Sequence, residues 1–130
     1  MPLVCQVDQD VVLEPGWLAT LVPAFDDPTV GAAQGYYATD PHGSFFSRVM
    51  GLDLEWRYTA LEDTSDHVCT GNSIYRVDAL ASVGLLDETL GYGYDNDLSY
   101  RLDAAGFLGA GYPTPLLERA RVLSRKPGFA

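Results

Sequence analysis

Leu3-Val4-Cys5-Gln6-Val7 is a short apolar run with β-branched residues, and Asp8-Gln9-Asp10 follows it directly. Such a run reads as a strand buried on both faces, which requires a covering layer on each side of its sheet. That demand restricts the chain to a layered arrangement.

The rest of the chain supplies the layers. Pro15 suits the first turn of a helix, and Trp17, Leu18, Leu21, Val22 and Phe25 follow at helical spacing up to Asp26-Asp27-Pro28. Val30 to Tyr37 reads as a second strand and Asp40-Pro41-His42-Gly43 as a loop. Ser44 can cap a longer helix to about Leu61, with Phe45, Val49, Leu52 and Trp56 on one stripe. Glu62 to His67 reads as a loop and His67 to Thr70 as a short strand, broken at Gly71-Asn72-Ser73. Asp78 is a candidate N-cap for a helix over Ala79 to Val83, closed by Gly84. After Gly91-Tyr92-Gly93-Tyr94, Asp95 or Asn96 opens a further helix that ends at Gly106. Strands alternating with helices give an α/β class.

The 130 residues suit one domain, and 47% hydrophobic residues suffice for a core. With 18 Asp+Glu against 8 Lys+Arg, the net charge of −10 argues against nucleic acid and anionic lipid as partners. Arg119, Arg121, Arg125 and Lys126 lie in the last twelve residues, so residues 1–118 carry a net −14 and the tail +4. Cys5 and Cys69 have no metal-type spacing and read as reduced core residues. No apolar run reaches membrane-spanning length and no export signal is legible, which points to a cytoplasmic chain.

Two constellations carry chemistry. In extended chain, residues i and i+2 point to one side, so Asp8 and Asp10 can converge on a hard cation such as Mg²⁺ or Mn²⁺ at a strand's carboxyl end. Solvated carboxylates at a strand end would look the same. Asp95 and Asp97 open a helix, where free backbone N–H groups stabilise a carboxylate and hold it in place as a general base. The plainer account makes Asp95 an N-cap and pairs Asp97 with Arg101 at i, i+4.

Order and surroundings go further. Val7-Asp8-Gln9-Asp10, Pro15-Gly16-Trp17-Leu18, Asp27-Pro28-Thr29-Val30-Gly31-Ala32-Ala33-Gln34-Gly35, Gly71-Asn72-Ser73 with Tyr75-Arg76, and Gly93-Tyr94-Asp95-Asn96-Asp97-Leu98 with Arg101-Leu102 occur in sequence. From Val7 to Phe107 the chain resembles the second half of the catalytic domain of family 2 glycosyltransferases, which have the GT-A fold. The resemblance implies a partial GT-A mixed sheet flanked by helices. Asp8 and Asp10 would hold the divalent metal and the donor diphosphate, with Asp10 preferred for direct metal contact. Asp95 would be the catalytic base, Asp97 would orient the substrate, and Gly71 and Asn72 would let it approach the backbone. The implied reaction moves a sugar, with inversion, from a nucleotide-diphosphate donor to a hydroxyl acceptor that is a sugar or lipid-linked.

The chain departs from the family at five points. Tyr94 stands where the family usually has Glu, and Leu85-Leu86 replace Gly-Phe before Asp87. No His occurs near Ala120 to Ser124; His42 and His67 read as surface residues. Trp56, Tyr36 and Tyr37 read as core rather than as sugar platforms. The nucleotide-binding strands that precede Asp-x-Asp in the family are not found, nor is the Gln-x-x-Arg-Trp motif of its processive members. The expectation is therefore the acceptor-side half of a longer protein, at the cytoplasmic face of a membrane where that parent is membrane-bound, or a homo-oligomer. The competing reading is a non-catalytic, self-associating remnant; nucleotidyl transfer explains Asp-x-Asp but not the Asp95 helix start.

Overall fold

The computed structural model describes residues 1–9, 11–39, 41–59, 64–65, 68, 71–110 and 121–124. Its strands are β1 (Leu3–Val7), β2 (Val11–Leu13), β3 (Val30–Gln34), β4 (Tyr36–Thr39), β5 (Thr64–Ser65), β6 (Asn72–Arg76), β7 (Leu108–Ala110) and β8 (Arg121–Ser124). Its helices are α1 (Trp17–Leu21), α2 (Phe45–Thr59), α3 (Val77–Ser82) and α4 (Tyr94–Ala104). A five-stranded sheet runs β1-β6-β3-β7-β5, and a three-stranded sheet runs β2-β8-β4. The pairing β3–β7 is parallel and β1–β6 and β3–β6 are antiparallel, so the fold is a mixed α/β arrangement, as the alternation predicts.

Two cores lie on opposite faces of the larger sheet. Trp17, Leu21, Phe25, Val30, Ala33 and Ile74 form one, under α1. Ala32, Val68, Tyr75, Ala79, Leu98 and Leu102 form the other, under α3 and α4. Alternation along β3 and β6 explains the division, because Ala33 and Ile74 point one way and Ala32 and Tyr75 the other.

Several expectations are corrected. The first strand is not buried on both faces: among the described residues β1 is the outer strand of its sheet, with Val4 42% and Val7 37% exposed. Cys5 is accordingly exposed rather than in the core, and the partial burial that remains pushes its thiol above the ordinary range. Cys69 and His67 lie outside the described residues. The helix after Pro15 is a single turn of α1 that continues as a 3-10 helix over Val22–Asp26, since Pro23 has no N–H to carry the α pattern on. Trp17, Leu21 and Phe25 still reach the core, while Leu18 and Val22 face solvent.

The strand expected over Val30 to Tyr37 breaks at Gly35, whose N–H bonds Asn72 O at 2.9 Å, and its two halves join different sheets. Asp78 is not a cap: it sits in the first turn of α3, whose N-cap is Arg76. Val68 is not in a strand, and the residues beside it lie outside the description. Ser44 caps α2 as expected, its Oγ accepting the Ser47 N–H at 3.2 Å. Gly84, at φ +90°, ends α3 as expected, with the Leu85 N–H returning to Leu80 O at 2.9 Å.

Arg76 joins sheet to helix. Its Nε donates to Val30 O at 2.9 Å, and its Nη2 donates to Phe25 O at 3.0 Å and Asp27 O at 2.9 Å. The guanidinium also lies 5.6 Å from the centre of the Phe25 ring. Arg76→Met keeps the stem and orphans these carbonyls, so it should cost roughly 2–4 kcal/mol, with Arg76→Lys recovering less than half because an ammonium lacks the planar fork. Urea denaturation measures this, and a loss below about 0.5 kcal/mol would refute the clamp.

Candidate active site

Antiparallel pairing of β1 with β6 sets Val7 opposite Asn72, and one residue further the Asp8 N–H donates to Gly71 O at 2.9 Å. This brings together two segments more than sixty positions apart that the sequence had marked separately. The contact is close: a Cβ built on Gly71 would sit 2.6 Å from Asp8 Oδ2 and 2.7 Å from its Cγ. Gly71 has φ +103°, which other residues rarely adopt, so both backbone and space require glycine there.

Alternation assigns the faces. Leu3 packs on the α1 core, so Val7 shares that side, and so does Asn72 opposite it. Asp8 and Gly71 lie just beyond this end of the ladder, Asp8 following β1 and Gly71 preceding β6. Asn72 is 2% exposed, and its Oδ1 accepts the Trp17 indole N–H at 2.7 Å. Its Nδ2 and the Ser73 Oγ are buried and lack a hydrogen-bond partner. Asn72 thus anchors Trp17 beneath the site, while Gly71 is the residue that meets Asp8.

Gly93, at φ +76°, is the N-cap of α4, so Asp95 stands inside the first turn and is not the cap. Its Oδ1 accepts the Asn96 N–H at 2.9 Å. Asp97 follows the plainer account: its Oδ2 receives Arg101 Nε at 3.0 Å and Nη2 at 2.8 Å, while Arg101 Nη1 donates to Val83 O. This pair locks the start of α4 to the end of α3.

Ser99 joins α4 to the Gly71 segment. Val68 N–H donates to Ser99 Oγ at 3.1 Å, and Ser99 Oγ donates to Val68 O at 3.3 Å. Val68 precedes Gly71 by three residues, a reach of at most about 11 Å, and Asp95 lies one helical turn from Ser99, about 6 Å along the axis. Ser99 thereby ties α4, which carries Asp95, to Val68, three residues before Gly71. Asp87, just before α4, has its carboxyl held below the usual range by hydrogen bonds from Thr89 Oγ1 and N–H, with Arg101 adding attraction.

Asp10 lies outside the described residues. Among the described ones, no group of three or more His, Cys, Asp or Glu gathers to hold a metal ion, and no helix is long and apolar enough to cross a membrane. His42 is exposed, as expected. Trp56 is 72% exposed and is not core, because its stripe on α2 faces away from β4. The side chains of Tyr36 and Tyr37 lie outside the description. Ser99, Arg101 and the Trp17–Asn72 bond were not singled out from the sequence as site supports; the signal available was a polar residue among apolar positions in α4 and β6.

No protein-family model matches the chain. Over 107 residues it is 32% identical to the pre-mycofactocin glycosyltransferase of Mycobacterium tuberculosis, in strains CDC 1551 / Oshkosh and ATCC 25618 / H37Rv. The alignment covers 77% of this chain and 23% of that protein, so the chain spans about a quarter of the length of the curated relatives it matches. The relationship carried by its sequence is to a glycosyltransferase.

Proposed function

We propose that this chain is the acceptor-side part of a family 2, GT-A-type glycosyltransferase, with the nucleotide-binding strands supplied by polypeptide outside these 130 residues. The observation that supports the reading is the contact of Asp8 with Gly71, with α4, which carries Asp95, tied through Ser99 to Val68 in the segment before Gly71. A sugar nucleotide and a hydroxyl acceptor, a sugar or a lipid-linked one, are its substrates. Asp95, with Oδ1 held by the Asn96 N–H, takes the acceptor's proton as the hydroxyl oxygen attacks the anomeric carbon. The bond to the diphosphate breaks on the opposite side, and the configuration inverts. Arg101 and Ser99 hold α4 so that the carboxylate keeps its place.

Carboxylate oxygens are the donors a hard divalent cation takes, and Asp8 supplies them beside Gly71 at the end of β1. Asp8 and Asp10 would hold Mg²⁺ or Mn²⁺, which supplies Lewis-acid stabilisation to a departing diphosphate. Calorimetric titration with UDP of the enzyme that contains this chain should then give heat that depends on Mn²⁺ and disappears in Asp8→Asn.

A second reading rests on β1, an outer strand with Val4, Cys5 and Val7 exposed. It makes the chain a non-catalytic interaction module that pairs this edge. Absence of that heat in the longer protein, together with self-association of the chain that Val4→Pro in β1 abolishes, would favour it over transfer.

A further inference from the structure

The segment 8–17 leaves the larger sheet at the end of β1 and returns to it at the start of α1, and its two ends close on adjacent residues. At one end the Asp8 N–H donates to Gly71 O; at the other the Trp17 indole N–H donates to Asn72 Oδ1 at 2.7 Å. An indole N–H only donates, so it fixes which way the Asn72 amide turns. Both side chains are buried, and Asn72 Nδ2 has no hydrogen-bond partner, so the indole bond is what holds this amide at its tip. The Gly35 N–H on Asn72 O fixes the main chain only. Burial by itself explains why the indole takes an acceptor. It does not explain an acceptor next to the residue that meets Asp8, with the rest of its amide unsatisfied.

We propose that Trp17 is a positioning residue: its bond to Asn72 closes the segment 8–17 and thereby keeps Asp8 against Gly71. Without the indole N–H, a buried amide is left with no side-chain hydrogen bond, and it gains by turning toward water. Gly71 is its neighbour in the chain and has little room to adjust, because the Asp8 carboxylate already fills the space a Cβ would take. The Asp8 N–H bond to Gly71 O is then the contact that opens. Where it concerns ligands, the proposal rests on the reading of Asp8 as a metal- and diphosphate-binding carboxylate; for the Asp8–Gly71 contact it stands without that reading.

Amide hydrogen exchange in the enzyme that contains this chain tests it. In Trp17→Phe, which keeps an aromatic ring in the core and removes the donor, the Asp8 amide should exchange about tenfold faster through local opening. Ile74, fully buried in β6, should change by less than about twofold. Asn72→Leu removes the same bond from its other partner and should release Asp8 alike, so the test does not depend on how well one variant folds. Added to Asn72→Leu, Trp17→Phe should change Asp8 by less than about twofold, because the bond is already gone. Leu21→Val, in the same helix and core, should not single out Asp8. Calorimetry with UDP and Mn²⁺ should show about tenfold weaker binding in Trp17→Phe, with turnover at saturating Mn²⁺ within about twofold of the parent. Unchanged Asp8 exchange in Trp17→Phe, an equal response in Leu21→Val, or full additivity with Asn72→Leu would each overturn the proposal. A parent enzyme without Mn²⁺-dependent UDP heat would overturn the metal reading instead, and faster Asp8 exchange would still support the role of Trp17.

Discussion

Asp95→Asn in the enzyme that contains this chain should lower the turnover of glycosyl transfer by about 10²–10⁴-fold, the range general-base catalysis supplies. The amide is nearly isosteric, and its oxygen can still accept the Asn96 N–H that holds Asp95 Oδ1 at 2.9 Å. The helix start, capped by Gly93, should therefore persist. What the variant loses is the proton acceptor. Donor affinity should change by less than about twofold, because Asp95 is assigned to the acceptor and not to the diphosphate; loss in kcat with KM for donor unchanged is the signature. Turnover within a few-fold of the parent would remove Asp95 from the chemistry.

The second large effect is expected at Gly71. Gly71→Ala meets two obstacles at once: a backbone at φ +103° and the Asp8 carboxylate 2.6 Å from the new Cβ. The first costs about 1–2 kcal/mol for a residue with a Cβ, and the second adds about 1–3 kcal/mol of overpacking against a strand end. Gly84→Ala is the matched control, since Gly84 has φ +90° with nothing within 4 Å of the built Cβ. It should show the conformational part alone. In an Asp8→Ala background, Gly71→Ala should fall toward the cost of Gly84→Ala, because the clash is gone. Urea denaturation of the parent, the three single variants and the Asp8→Ala/Gly71→Ala double variant measures this. Equal costs at Gly71 and Gly84 would show that Asp8 and Gly71 are not in contact. In the enzyme that contains this chain, Mn²⁺-dependent UDP heat should also be lost in Gly71→Ala, as Asp8 is displaced.

The parts of the fold legible in advance are those with local physical causes. The Ser44 cap, the Gly84 stop and the α/β class all follow from side chains acting within a few residues of themselves. Where the reading went astray, distant partners decided. Val30 to Tyr37 has the composition of one strand, but Gly35 is pulled to Asn72 and the chain changes sheets there. Leu3–Val7 has the composition of a central strand yet ends its sheet, because pairing is a property of neighbours and not of the run itself. The apolar stripe of α2 was read correctly as a stripe, but periodicity gives a face without saying what the face meets. Gly51 and Thr39 turned it outward.

The same division holds for the candidate site. Residue type and spacing by themselves determined which groups could do chemistry: carboxylates at a strand end and at a helix start, and a glycine before a strand. A carboxylate's hydrogen-bonding capacity and glycine's freedom at positive φ are intrinsic to the residue, so these survive without any structure. That Asp8 lies against Gly71, that Asn72 turns inward to Trp17, and that Asp97 is committed to Arg101 were decided only by the tertiary structure. Each depends on strand register or helix docking, and those are set by long-range burial that no local stretch of the chain encodes.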